Sequence, residues 1–249
     1  MGKLSGKTAV VTGAAKGIGA AIARALGSEG AAVVVNYASD RAGADRVVGE
    51  ISERGGKAVA VQGNVSSEAD VRRLFEETKK AFGQIDVLVN NAGVYSFGPL
   101  EEVTGAEFHR QFDTNVLGPI QVTREALGHF RSGGGSVINL SSIVSERAFP
   151  NAVVYASSKA ALDSVTRVLA LELGGRKIRV NAIAAGAVET EGTRSGGLVG
   201  GDFEKQIVGR TPLGRFGQPD DIASVAVFLA SDDAAWVTGE RLEVSGGHR

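Results

Sequence analysis

Thr8-Ala9-Val10-Val11-Thr12-Gly13-Ala14-Ala15-Lys16-Gly17-Ile18-Gly19 opens as a short apolar run rich in β-branched residues, breaks at glycines, and passes into a helical pattern over Ala20–Ser28. The order is strand, glycine turn, helix. Glycines at such a turn let the backbone fold tightly against a diphosphate, whose charge meets the free N–H groups and positive dipole of the helix start. The spacing G-x-x-x-G-x-G is neither the longer dinucleotide fingerprint nor a P-loop, which needs Gly-Lys followed by Ser or Thr. A second strand at Ala32–Asn36 completes a βαβ start and makes dinucleotide binding the reading of the turn.

The alternation continues outward. A polar-faced helix from Asp40 to Arg54 carries Ala44, Val47, Val48 and Ile51, and a strand at Ala58–Val61 runs into Gln62-Gly63-Asn64-Val65. Ser67–Phe82 reads as a capped amphipathic helix, and Ile85–Val89, apolar throughout, as a buried parallel strand followed by Asn90-Asn91-Ala92-Gly93. Further strands are expected at Ser136–Leu140, Lys177–Ala184 and Arg241–Val244. The pattern predicts an α/β fold: a single Rossmann-type doubly wound parallel sheet of about seven strands with helices on both faces, binding ligands at the strands' C-terminal ends.

Two segments carry special expectations. From about Glu101 to Phe130 the pattern reads as one long helix with Pro119 in its middle, where the ring removes the donor for the Asn115 carbonyl; a freed carbonyl could hold a water. Glycine-rich Glu191–Gly201 reads as a mobile flap over a substrate. Gln218-Pro219-Asp220-Asp221 caps a helix over Ile222–Ala230.

With 249 residues, 43% hydrophobic and 22% charged, the chain can bury one large core, so a single domain over 1–249 is expected. Twenty-seven basic residues against 28 acidic ones give a net charge of −1, which offers no footprint for nucleic acid or an anionic membrane. The absence of cysteine excludes disulfides and thiolate chemistry. His109, His129 and His248 are scattered, so no metal site is expected. The first residues lack a signal-like apolar region, and no run is long enough to span a bilayer, which fits a cytoplasmic protein.

The chemistry concentrates in Ser142 and Tyr155-Ala156-Ser157-Ser158-Lys159. Residues 152–173 read as a helix, so Tyr155 and Lys159, one turn apart, share a face. A free phenol titrates near pKa ~10, and a neighbouring cation favours the phenolate, which would make Tyr155 a usable general acid/base at neutral pH. Ser142, at the end of an apolar strand, could hydrogen-bond a substrate oxygen that gains charge. Together they suggest carbonyl chemistry.

For the cofactor, Asn36-Tyr37-Ala38-Ser39 puts no carboxylate at the end of the second strand, and Lys16 is available from the first turn, which suits the 2′-phosphate of NADP(H). Asp40 could still approach the ribose. Asn64 could meet an adenine edge or serve an ordinary turn.

These motifs in this order, Thr12-Gly13-x-x-x-Gly17-x-Gly19, Asn90-Asn91-Ala92-Gly93, Asn115, Ser142, Tyr155-x-x-x-Lys159, Thr238-Gly239 and Ser245-Gly246-Gly247, resemble the short-chain dehydrogenase/reductase family along the whole chain. The resemblance implies that Tyr155 donates a proton to a substrate carbonyl and Ser142 orients it. Lys159 would lower the Tyr155 pKa and bind the nicotinamide ribose, and Asn115 would complete a water relay. Gly13, Lys16, Gly17, Ile18, Gly19, Asn36, Tyr37, Ser39, Asn64, Val65, Asn91, Ala92 and Gly93 would line the adenosine and diphosphate side; Gly186, Val188 and Thr190 would touch the nicotinamide end. Asn64 stands where the family commonly has aspartate, and Ala185-Gly186 where it usually has Pro-Gly.

Asn36–Ser39 and the tail from Pro212 resemble 3-oxoacyl-carrier-protein reductases and glucose dehydrogenase-like members. The expected reaction is reduction of a ketone or 3-oxo ester or thioester by NADPH. A sugar or polyol dehydrogenase, or a reductase serving an acyl carrier docked near Arg131 and Arg176, are alternatives, as is a nucleotide-sensing protein without catalysis. The resemblance also implies a homotetramer.

Overall fold

β-Branched and apolar runs without a polar alternation can be buried on both sides, and they form the centre of the protein. In the computed structural model, which describes residues 2–195, 197 and 199–248, seven strands line up in the order β3-β2-β1-β4-β5-β6-β7. They are β1 (Thr8–Val11), β2 (Ala32–Tyr37), β3 (Lys57–Gln62), β4 (Val87–Asn90), β5 (Gly135–Ser142), β6 (Ile178–Ala185) and β7 (Arg241–Val244), and every pairing is parallel. The helices are α1 (Gly17–Ser28), α2 (Arg41–Glu53), α3 (Glu68–Phe82), α4 (Gly105–Phe112), α5 (Gly118–Ala126), α6 (Val153–Leu173), α7 (Glu191–Ser195), α8 (Asp202–Gly209) and α9 (Pro219–Ala230).

Successive strand residues point to opposite faces, and two cores result. Ala9, Val11, Val33, Val35, Val87 and Val89 pack under α1, α2 and α9. Val10, Val34 and Leu88 pack against Phe75 and Leu74 of α3, Val122 of α5 and Leu173 of α6. The strand order reverses between β1 and β4, so the crevice at a doubly wound sheet's switch point lies between the turn after β1 and the loop after β4.

The expected long helix over 101–130 is instead a 3-10 turn followed by a helix that runs from 105 to 126 through a π-turn. A 3-10 turn at Leu100–Glu102 precedes α4, and a π-turn at Asp113–Leu117 joins α4 to α5. Gly118 N–H donates to the Asp113 carbonyl, five residues back, and Pro119 then falls in the first turn of α5, where a missing N–H costs little. Proline therefore shifts the register rather than kinking a continuous helix.

The glycine-rich stretch after β6 is also more ordered than a bare flap, because its described part holds α7 and leads into α8. Gly196 and Leu198, which the flap expectation includes, lie outside the described residues, as do Met1 and Arg249. Among the described residues no helix is long and apolar enough to cross a membrane, and no group of His, Asp and Glu is set to hold a metal.

Candidate active site

β5 and β6 run side by side to their C-terminal ends, which sets Ser142 opposite Ala185. The Ser142 hydroxyl lies 3.4 Å from the Ala185 carbonyl, to which it donates, and it accepts from Val144 N–H at 3.4 Å. Both contacts are long, so the hydroxyl can turn to a substrate oxygen. α6 then brings Tyr155 and Lys159 to the same spot. Lys159 is buried, its Nζ lies 5.8 Å from the Tyr155 ring centroid, and it donates to the Leu140 carbonyl at 2.7 Å.

Burial pushes the Tyr155 phenol up to about 12, while the Ser142 hydroxyl pulls in the opposite direction. Lys159 falls to about 8, because burial disfavours its charge more than Asp163 favours it. In the protein alone burial outweighs the expected lowering of the Tyr155 pKa by Lys159. The ammonium points past the ring to a backbone carbonyl, and desolvation governs both groups.

Asn115 sits in the π-turn and is fully buried. Its Nδ2 donates to the Val94 carbonyl at 2.8 Å and to Ser158 Oγ at 3.0 Å, and its Oδ1 accepts from Val94 N–H at 2.8 Å. Ser158 Oγ in turn donates to the Tyr155 carbonyl at 2.8 Å. The Asn115 side chain thus ties the loop after β4 to the catalytic turn of α6. Any relay through a water falls to its backbone carbonyl, to which Pro119 brings no N–H.

The cofactor cradle is built by glycine. Gly13 and Gly17 have φ of +61° and +58°, a region that side chains rarely adopt. A Cβ on Gly13 would stand 2.8 Å from Ala92 Cα, and one on Gly19 would run into Asn91 Nδ2 and stand 2.6 Å from the Gly13 carbonyl. Asn91 holds this packing by donating from Nδ2 to the carbonyls of Thr12 and Gly13, each at 2.9 Å. The start of α1 has no side-chain cap, and Gly17 N–H donates to the Glu191 carboxylate of α7 at 3.1 Å. An anionic oxygen thus already stands at this N-terminus, so the residues fit a dinucleotide diphosphate.

Other expected contacts divide into open and occupied positions. Lys16 and Ser39 are exposed, Gly93 lies at the surface above Lys159 and Asn115, and Thr190 is beside Gly17. Ile18 is half-buried against the core. Asn36 is turned inward: its Oδ1 accepts from Gly13 N–H at 3.2 Å and its Nδ2 donates to the carbonyls of Val61 and Gly63. It shapes the turn rather than offering its amide to a ribose. Tyr37, Val65 and Val188 are buried in the cores. Asn64 is exposed, with Oδ1 accepting from Ser66 N–H and Oγ, which is the ordinary-turn alternative. Asp40 caps α2, accepting from Gly43 N–H at 2.9 Å. A Cβ on Gly186 would stand 2.8 Å from Ser245 Cα, so this glycine lets the C-terminal Ser-Gly-Gly segment close on the β6 end.

Three features were not visible in the motifs. Asp163, two turns beyond Tyr155 on α6, is buried and accepts from Arg241 Nε of β7 at 3.0 Å; the same guanidinium reaches Ser145 Oγ at 3.3 Å and the Ser142 carbonyl at 3.5 Å. Among the described residues Asp163 Oδ1 has no partner. Glu191 at Gly17 is the second. The third is a group of exposed aromatic rings, Tyr95, Phe97 and Phe149, around Tyr155. The i, i+8 spacing of Tyr155 and Asp163 alone places Asp163 on the tyrosine's face; the arginine comes from 78 residues away and has no local signal.

Comparison with known proteins gives the same picture. A family described as Enoyl-(Acyl carrier protein) reductase matches residues 13–249. An uncharacterized oxidoreductase of Methylorubrum extorquens is 56% identical over 249 residues, covering all of both chains. Versicolorin reductase 1 of Aspergillus parasiticus is 43% identical, covering 98% of this chain and 97% of its own. Among solved structures, a short-chain dehydrogenase/reductase from Serratia marcescens superposes with a TM-score of 0.93 at 36% identity, covering 98% of each chain. The angucycline C-6 ketoreductase LanV with bound NADP gives 0.92 at 38% identity, covering 99% of this chain and 96% of its own.

Proposed function

The chain belongs to the short-chain dehydrogenase/reductase family of oxidoreductases, and on that premise we propose that it reduces a ketone or 3-oxo ester with NADPH, Tyr155 giving the proton. The observation that carries the reading is the convergence of Ser142, Tyr155 and Lys159 at the C-terminal ends of β5 and β6. The phenol is protonated at neutral pH, as an ordinary phenol is, and it stands beside a second hydroxyl, Ser142, at the C-terminal edge of the sheet. Two O–H donors converging at one place suit a single oxygen acceptor that becomes more basic as a hydride reaches its carbon.

NADPH, when bound, supplies the hydride. Ser142 donates to the carbonyl oxygen and orients it, and Tyr155 passes its proton to that oxygen as charge develops. Lys159, held by the Leu140 carbonyl below the ring, places a positive charge against the phenolate that proton transfer leaves. Gly13, Gly17 and Gly19 admit the diphosphate at the start of α1. The choice of NADPH is supported by exposed Lys16, by the absence of a free carboxylate where β2 ends, and by Asp40 being committed to capping α2. LanV, a ketoreductase with NADP bound, supports both halves of the reading.

Arg131 and Arg176 do not favour an acyl carrier at the site mouth. They precede β5 and β6, at the sheet's opposite end, and the eight residues of β5 span roughly 23 Å at ~3.3 Å each. A homotetramer is also our reading, supported by Leu117 and Ile120 of the α4–α5 unit and Val168 and Leu171 of α6, all exposed and apolar. Light scattering of the purified protein at four times the chain mass is the expected result.

The test is Tyr155→Phe. NADPH oxidation with a ketone should fall by about 10²–10⁴ while NADPH affinity stays within about twofold. Undiminished turnover would remove Tyr155 from the mechanism.

A further inference from the structure

The chain has only 14 aromatic residues, ten Phe, three Tyr and one Trp. Four of them form one cluster that includes the Tyr155 ring. Tyr95 and Phe97, in the loop after β4, lie 5.5 Å apart at 29°, so their faces run nearly parallel. Both stand edge-on to the Tyr155 ring, at 6.0 Å and 61° and at 5.8 Å and 85°. Phe149, from the loop after β5, extends the group with its ring 5.3 Å from Phe97. Tyr95, Phe97 and Phe149 remain 42%, 39% and 39% exposed. The three rings are part-exposed side by side next to a reacting group, a grouped apolar surface rather than scattered single residues.

The far side of this wall is approached by α7. A Cβ on Gly192 would lie 3.4 Å from the Tyr95 hydroxyl, so the bare glycine keeps the edge of the wall open. Val94, which precedes Tyr95 in the loop, is tied at both its N–H and carbonyl to Asn115. The wall is thereby fixed to the same asparagine that steadies the catalytic turn, which sets ring positions against the Tyr155 hydroxyl.

We propose that Tyr95, Phe97 and Phe149 form a stacking wall that selects flat aryl or fused-ring ketones as substrates. The occupant is the substrate because the catalytic ring belongs to the cluster: a ring laid on Tyr95 and Phe97 lies beside Tyr155. A flat ring gains from offset stacking on Tyr95 and Phe97 beyond the burial of its area, whereas a puckered saturated ring gains burial alone. A carbonyl conjugated to the ring lies in the ring plane, so stacking also fixes its direction. This inference rests on the carbonyl-reductase reading above.

The experiment compares two bicyclic ketones of equal carbon count, 1-tetralone, which carries a benzene ring, and 1-decalone, which is saturated. NADPH oxidation by the intact enzyme gives kcat/KM for each, in wild type, Phe149→Leu, Phe97→Leu and the double variant. Leucine keeps apolar bulk and removes the ring. Phe149 does not touch Tyr155, so its variant reports the wall without disturbing the catalytic ring.

The expected result is a wild-type preference for 1-tetralone that falls about threefold in each single variant and at least about tenfold in the double, mostly through KM. A ratio unchanged in the double variant, or a wild-type preference for 1-decalone, overturns the wall while leaving ketone reduction standing. No NADPH oxidation with either ketone or with simple aliphatic ketones overturns the reductase reading and the wall with it.

Discussion

Replacing Lys159 by methionine should make the protein more stable and less active. The ammonium is buried, and burial moves its pKa from an ordinary 10.5 to about 8. At pH 7 that displacement corresponds to about 3 kcal/mol by which folding disfavours the charged form. Methionine has similar length, no charge to desolvate, and fills irregular space well. Against the gain stands the Leu140 carbonyl, which loses its 2.7 Å donor at a cost of about 1–2 kcal/mol. The net gain is about 1–2 kcal/mol, or roughly 3–6 °C in Tm for a chain of this size.

The pH dependence identifies the cause. Because the folded-state pKa lies below the unfolded one, the unfolded chain binds the extra proton between pH ~8 and ~10.5, and wild-type stability gains with pH across that window relative to a chain without Lys159. The penalty is complete below pH ~8 and gone above ~10.5. Thermal unfolding of both proteins from pH 7 to 10.5 should therefore show a gap that closes as pH rises, with turnover lost throughout. A variant that melts no higher than wild type at pH 7, or a gap that does not change with pH, would refute the argument from desolvation.

Glu191→Gln should tighten NADPH binding about two- to fivefold at low salt, since it removes a carboxylate worth about 0.3–1 kcal/mol at the start of α1 that the diphosphate must displace; fluorescence titration checks it, and a looser complex would count against displacement. Arg241→Met leaves buried Asp163 without its cation and should cost about 3–5 kcal/mol in urea unfolding, where a loss below about 1 kcal/mol would show the pair to be dispensable. Gly19→Ala forces a methyl group against Asn91 and the Gly13 carbonyl and should cost about 1–3 kcal/mol together with NADPH affinity, read by thermal unfolding and cofactor titration; an alanine variant that binds as wild type would mean the turn relaxes freely.

The strands, the glycine turn and the α6 spacing were legible because they depend on neighbours in sequence. β-Branched runs and glycine at fixed offsets state their conformation locally, and a period of 3.6 puts Tyr155 and Lys159 on one face whatever surrounds them. The long helix over 101–130 was misread for the same reason: periodicity persists through a π-turn, and only the hydrogen bond from Gly118 to Asp113 shows that one residue has been absorbed. The inward turn of Asn36 was not legible because its type and position match an open strand end, while its orientation depends on carbonyls at the end of the third strand.

What the sequence by itself determined is the fold class, the nucleotide-type turn, and the chemical identity of the serine, tyrosine and lysine. What only the tertiary structure decided is how those groups are tuned: the Tyr155 pKa raised and the Lys159 pKa lowered by burial, Glu191 standing at the start of α1, Arg241 clamped on Asp163, and three aromatic rings clustered with Tyr155. Conformational preference is set over a few bonds, whereas desolvation, charge pairing and stacking depend on distances in space between segments that the chain keeps far apart.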